Sequence, residues 1–208
     1  MSVSARSLPL VTMALSDDAR TQVLGLLQGI VPGDDLEREH LEHARSWVAN
    51  GAELYRRGSI DVPPTHLVVY FVPLTPDLRQ LLLVAHRKAG LWLPPGGHVE
   101  PGENPWATVI REGAEELRLR AKPSRVTGPA PAFVTVTRTR NRHPHTDVTL
   151  WFPLETTPEQ ITSYDSGEFA DIRWWPLTDL HERLATPATD DFEPHLARFL
   201  DKLTGSPS

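Results

Sequence analysis

Gly96-Gly97-His98-Val99-Glu100-Pro101-Gly102-Glu103, followed by Arg111-Glu112-Gly113-Ala114-Glu115-Glu116, decides how the chain reads. It sets a glycine turn ahead of a helix-forming segment. Glu112, Glu115 and Glu116 are three and four residues apart, so at about 100° per residue they share an arc of roughly 100° on one helix face. Carboxylates that close raise one another's pKa unless a cation sits among them. A solvated acidic face would account for the glutamates, but not for the Pro94-Pro95-Gly96-Gly97 turn or the helix start at Asn104-Pro105. Asparagine caps a helix well, and proline suits its first position. Hard divalent ions take oxygen ligands of this kind, and Mg²⁺ shares its shell with water and substrate phosphate. The segment predicts a metal-dependent phosphate site.

Working outward, the next helix has Trp106, Val109, Ile110, Gly113 and Leu117 as an apolar stripe beside its acidic face. Upstream, Thr65 to Val72 and Leu81 to Ala85 are β-rich runs separated by Pro73 to Pro76, which predicts a hairpin-like pair; Leu91 to Leu93 leads into the glycine turn. Downstream, Ala132 to Thr137, Asp147 to Phe152 and Ile172 to Trp175 read as strands, and Leu177 to Leu184 and Asp191 to Leu203 as helices. Two more helices precede the sheet. One starts after a cap at Ser16-Asp17-Asp18, and the other runs from Asp34-Asp35 through Val48. His40 and His43 on the second have no third ligand beside them in sequence and read as surface and packing residues. The expected organisation is a flexible tail over 1–15, a helical extension over 16–60, an α/β domain with a mixed sheet over 61–185, and a C-terminal helix and tail over 186–208.

Composition narrows the function. A formal charge of −6 argues against broad attraction to long nucleic acid, which normally needs a basic face. An acidic protein still binds an acidic phosphate when metal ions mediate. The absence of cysteine excludes disulfides, thiolate metal sites and a cysteine nucleophile. No apolar run approaches a membrane span, and Leu8 to Leu15 lacks the long apolar core and cleavage site of a secretory signal, so a cytoplasmic location is expected.

The glycine turn and acidic helix resemble the box of the Nudix hydrolases, G-x5-E-x7-R-E-U-x-E-E-x-G-U with U aliphatic. Gly97, Glu103, Arg111, Glu112, Glu115, Glu116 and Leu119 fall on it with the spacing intact. Gly113 stands where an aliphatic residue is usual, and Arg118 where the second glycine is usual; neither change removes a ligand. Arg118 removes a helix stop, so the helix is expected to run on towards Ala121. The resemblance implies an α/β/α sandwich and a Mg²⁺-dependent hydrolase, with Mn²⁺ able to substitute, that cleaves a diphosphate linkage in a small nucleotide. A nucleoside triphosphate comes first, a nucleotide-sugar or other diphosphate ester next. A homodimer is possible. Diphosphate isomerases of this fold rely on a cysteine that is absent here. The rival of a different class is a non-catalytic nucleotide sensor, which loss of a box carboxylate would favour; all are present.

The resemblance also assigns roles. Metal ligands would be Glu112, Glu115, Glu116 and the carbonyl of Gly96, with one carboxylate accepting the water's proton. Arg111, four residues before Glu115, would orient that carboxylate. Glu103 would anchor the loop. Glu168, six residues before Trp174, matches the acid that often completes the metal shell or acts as base; Asp165 and Asp171 are its rivals. His98 occupies a position where nucleotide-cleaning members often carry lysine. With Arg138, Arg140 and His145 from the cationic segment between two strands, it is a candidate contact for substrate phosphate. His145 and Asp147 would share one face if their strand begins early.

Overall fold

The computed structural model describes residues 8–57, 62–139, 144–186 and 191–205, with side chains from residue 18 onward. Five helices and seven strands follow in the order α1 (Leu8–Gln28), α2 (Asp35–Ala49), β1 (Thr65–Leu74), β2 (Gln80–His86), β3 (Leu91–Leu93), β4 (Gly96–His98), α3 (Pro105–Leu117), β5 (Phe133–Arg138), β6 (Thr146–Glu155), β7 (Phe169–Pro176), α4 (Leu177–Leu184) and α5 (Leu196–Thr204). The strands form one mixed sheet in the order β3-β2-β1-β6-β5, with β4 paired to β1 and β7 to β2.

β1 is the axis of this sheet. It pairs in parallel with β6 along its whole length, from Thr65–Thr146 to Leu74–Glu155. Parallel strands covered on both faces read as near-continuous apolar runs, and Leu67 to Phe71 is such a run. The other edge of β1 is divided. β4 takes its first half through Val68–His98, Val69–Gly97 and Tyr70–Gly96, and β2 meets it only at Leu74–Leu81. The expected hairpin therefore closes at one end alone: beyond Leu81 the edge of β2 that faced β1 pairs with β3, and the other edge pairs with β7 from Gln80 to His86.

Two apolar layers cover the sheet. Leu67, Val69 and Phe71 belong to a buried cluster with Val109 and Leu117 of α3 and Leu41, Ala44 and Val48 of α2. Val72, Leu74, Phe133 and Trp151 form the other with Leu180 of α4 and Leu196, Phe199 and Leu200 of α5. Trp151 stacks on Phe199 with ring centroids 5.1 Å apart. The amino-terminal helices thus share a core with the sheet. Among the described residues, no helix is long and apolar enough to cross a membrane.

Two boundaries and one helix face differ from the sequence reading. α1 begins at Leu8, ahead of the Ser16-Asp17-Asp18 cap and inside the stretch expected as a tail. α5 begins at Leu196 rather than Asp191. A residue before proline disfavours helical backbone, and Pro194 follows Glu193; the chain there instead bridges to β3, with the Trp92 amide donating to the Asp191 carbonyl at 2.7 Å. Ile110 is 47% exposed, so the buried side of α3 carries Val109, Gly113, Glu116 and Leu117 instead.

A polar clamp joins α2 to α5. Asp34 caps α2 by accepting the Glu37 amide at 2.7 Å, and its carboxylate takes two hydrogen bonds from Arg198, at 2.8 and 2.5 Å. The fully buried Glu37 accepts from Lys202 at 2.6 Å and from the Gly33 amide at 2.7 Å. The Arg198 hydrogen bond holds the Asp34 carboxyl below its ordinary value of 3.8. A depressed folded-state pKa adds stability that is present above the unfolded value and lost as pH falls through the folded one. Asp34→Ala should therefore cost about 2 kcal/mol at neutral pH through the lost cap and charged pair. In urea unfolding series, the gap between wild type and variant should narrow as pH drops below about 4; a gap that is unchanged or widens contradicts this origin.

Candidate active site

α3 is built as its sequence requires. Asn104 caps it by accepting the Ala107 amide at 2.8 Å, and Pro105 holds the first position. Its other end corrects the expectation that it runs on towards Ala121. Arg118 adopts a left-handed conformation with φ 52°, and the Gly113 carbonyl accepts the amides of both Arg118 and Leu119. Leu119 is buried, and bringing it back to the core outweighs the roughly 1–2 kcal/mol that a non-glycine residue costs in that region.

The two box glycines serve two different close approaches. At Gly96, φ is 153° and a Cβ would lie 2.0 Å from the Val69 carbonyl oxygen. At Gly97 a Cβ would lie 2.1 Å from Glu112 Oε1. The first glycine lets β4 seat against β1; the second makes room for a carboxylate of the acidic helix.

Arg111 organises that helix. Its Nε and Nη2 bind Glu103 Oε1 and Oε2 at 2.8 and 3.0 Å. Nη1 donates to Glu112 at 2.8 Å and to Glu115 at 3.3 Å, and Nη2 also donates to the His98 carbonyl at 3.2 Å. A guanidinium has five N–H groups, and these contacts engage all of them. Glu115 is thus one partner among several, and the shortest bonds go to Glu103 and Glu112. The hydrogen bond to Glu103 comes first among the causes that raise the Arg111 pKa further above its ordinary value. Glu103 also accepts from the Thr108 hydroxyl at 2.8 Å and the Glu100 amide at 3.3 Å, which fastens the loop to the helix. This geometry makes Arg111 a positioning residue.

Glu112 and Glu116 face inward, whereas Glu115 is largely exposed. Burial raises the Glu112 pKa, against the pull of Arg111 and with repulsion from Glu115 and Glu168 adding to the rise. Burial, followed by repulsion from Glu112 and Glu168, pushes Glu116 up to about 10, while a backbone hydrogen bond from Gly96 opposes the shift. Glu116 Oε2 is buried without a hydrogen-bond partner. A buried carboxylate oxygen left bare beside two other acids suits a cation.

Glu168, on the loop before β7, is close enough to repel both glutamates. Its Oε1 lies 3.3 Å from His86 Nε2, a neighbour the sequence reading missed. Burial lowers the His86 pKa and Glu168 opposes the shift. Asp165 also faces Glu116, but its Oδ1 accepts the Gly167 amide at 2.7 Å and so is engaged in the turn.

The remaining candidates separate. Arg138 is exposed at the end of β5, opposite Thr146, and Arg140 lies outside the described residues. His98 and His145 do converge, but with His66 and Asp147. Their rings are 6.4 Å apart, and each lies 4.7 Å from that of His66. Burial lowers the His98 pKa to about 4. His66 was missed because one histidine heading an apolar strand reads as part of the core. The pairing of His145 with Asp147 was visible in their spacing, and His145 Nε2 lies 3.3 Å from Asp147 Oδ1.

A family model describing the NUDIX domain matches residues 64–199. The chain therefore belongs to the NUDIX domain family. The MutT protein from Methanosarcina mazei Go1 has a similar fold, with a TM-score of 0.50 and 18% identity over 68% of this chain and 94% of that one. A hydrolase of the NUDIX family from Clostridium perfringens aligns with a TM-score of 0.48 and 22% identity, over 66% of this chain and 97% of that one. In sequence, the chain is 40% identical over 52 residues to an asymmetrical bis(5'-nucleosyl)-tetraphosphatase of Caenorhabditis elegans. That match covers 25% of this chain and 38% of the relative's length.

Arg111→Lys keeps the charge but cannot span five acceptors. It should lower stability by about 2 kcal/mol and release the loop at Glu103, read as faster amide exchange from Glu100 to Thr108. Unchanged exchange there would mean that the loop is held by other contacts.

Proposed function

We propose that the protein is a divalent-metal-dependent hydrolase that cleaves a diphosphate linkage in a nucleotide derivative. The observation that carries this reading is the buried Glu116 carboxylate, bare at Oε2 and raised by burial and by its acidic neighbours, next to a helix whose other acids Arg111 holds in place. Glu112, Glu115, Glu116 and the Gly96 carbonyl would hold Mg²⁺, with Mn²⁺ able to replace it. When bound, the metal supplies charge neutralisation at the diphosphate and lowers the pKa of an attacking water. Glu168, whose carboxylate lies 3.3 Å from His86 Nε2, would take that water's proton.

The preferred substrate class is a nucleoside triphosphate, with other nucleoside diphosphate derivatives next. The named activity of the Caenorhabditis relative supports including dinucleoside polyphosphates in the first screen. Arg138 and Arg140 remain the proposed contacts to substrate phosphate. His98 and His145, also candidate phosphate contacts, lie against His66 and Asp147. The reading takes the protein as cytoplasmic and is compatible with a homodimer. A non-catalytic sensor is disfavoured by the complete set of acids.

A panel of nucleotides with Mg²⁺ or Mn²⁺ should release phosphate or pyrophosphate from at least one member, and excess chelator should abolish the release. Glu116→Gln nearly preserves volume while removing a charge, so it should lower turnover at least about 100-fold and leave the fold intact. Turnover in verified metal-free protein, or wild-type turnover in Glu116→Gln, would refute the reading. A base at Glu168 predicts that Glu168→Gln lowers kcat with KM little changed. If Asp165→Asn is the crippling change and Glu168→Gln is silent, the base is Asp165.

A further inference from the structure

We propose that His66, His98, His145 and Asp147 form a second cation site, which takes a transition metal of the zinc class and ties β1, β4 and β6 together. The proposal does not depend on the acidic site being catalytic. One ligand atom from each of the four side chains lies within 4.8 Å of the other three. His66 is fully buried, and its Nδ1 lies 3.1 Å from the Pro63 carbonyl oxygen. A carbonyl only accepts, so Nδ1 carries a hydrogen, and in the neutral ring Nε2 presents its lone pair. Nε2 lies 3.3 Å from Asp147 Oδ1, and neither atom has a hydrogen-bond partner. With no hydrogen bond joining these two buried atoms, their separation leaves room for a cation bound to both.

The spacing suits a metal. Ligands 2.0–2.1 Å from a zinc ion at the tetrahedral angle stand about 3.3–3.4 Å apart. Asp147 Oδ1 is 3.3 Å from His66 Nε2 and 3.3 Å from His145 Nε2. His98 Nε2, also buried without a hydrogen-bond partner, supplies the fourth position. The outward-facing nitrogens are held as metal-bound histidines usually are, His66 Nδ1 by a carbonyl and His145 Nδ1 by the Thr139 hydroxyl at 3.3 Å. Imidazoles select zinc-class ions over Mg²⁺, which prefers oxygen. Four protein ligands fill a tetrahedron, the pattern of a structural site.

The site is separate from the acidic helix but linked to it through β4. Successive side chains of a strand leave opposite faces. Gly97 turns its bare Cα to Glu112, so His98 leaves from the other face, while its carbonyl accepts from Arg111. A metal on His98 would thus fix the strand that presents Gly96 and Gly97.

The test uses the full chain without an affinity tag, stripped with chelator and then given Zn²⁺ or Co²⁺ in excess Mg²⁺. Glu112→Gln/Glu116→Gln is treated in parallel. About one Zn²⁺ per chain should survive gel filtration in both proteins, and Co²⁺ should give the visible absorption of a tetrahedral nitrogen-and-oxygen site. His145→Gln and Asp147→Asn should each weaken Zn²⁺ binding at least about 10-fold while keeping the wild-type circular dichroism spectrum. If either variant fails to fold, the Co²⁺ spectrum of the Glu112→Gln/Glu116→Gln protein decides. Failure of the full chain to retain Zn²⁺, loss of retention in Glu112→Gln/Glu116→Gln, or wild-type affinity in the folded His145→Gln and Asp147→Asn proteins would overturn the site.

Discussion

The five-way engagement of Arg111 is the constraint on which the acidic site depends. One guanidinium joins the loop through Glu103, the helix through Glu112 and Glu115, and the sheet through the His98 carbonyl. Thr108 also ties the loop to the helix, and Gly96 ties the strand to Glu116, but only Arg111 bonds to all three. Because its donors are engaged, Arg111 leaves the buried Glu116 to be balanced by other means. The strained electrostatics of Glu116 are the counterpart of the well-satisfied electrostatics of Arg111.

β4 gives this arrangement a second use. Three residues long and held to β1, it carries one glycine against a neighbouring backbone, a second against Glu112, and a histidine on the opposite face. The divided edge of β1 makes this possible: β2 meets that edge only at Leu74–Leu81, and the other half receives β4. Packing on both faces of the sheet then fixes β1, the apolar clusters and the α2–α5 clamp together keeping the scaffold rigid.

Sequence spacing revealed what is local. The Asn104 cap and the need for bare glycines follow from helix signals and steric access, and the structure shows both, whereas of the three glutamates expected on one face only Glu112 and Glu116 turn inward. What escaped depends on distant partners. Arg111 looked like a partner of Glu115 because helix geometry puts them side by side, but the loop folds Glu103 back to take the better bonds. Arg118 looked like permission to extend α3, yet burial of Leu119 imposes a left-handed turn on a residue that does not favour one. His66 showed no signal, since only the parallel pairing of β1 with β6 brings it beside Asp147.

The central claim is that Glu112 and Glu116 are held together to receive a hard divalent cation. Mn²⁺ binding, followed by the electron paramagnetic resonance signal of the free ion with one equivalent of Zn²⁺ per chain to occupy any histidine site, tests it most directly. The account predicts saturable Mn²⁺ binding that Mg²⁺ displaces and that Glu112→Gln/Glu116→Gln removes without loss of the fold. Undiminished Mn²⁺ binding in that variant, or none in the wild type, would contradict it.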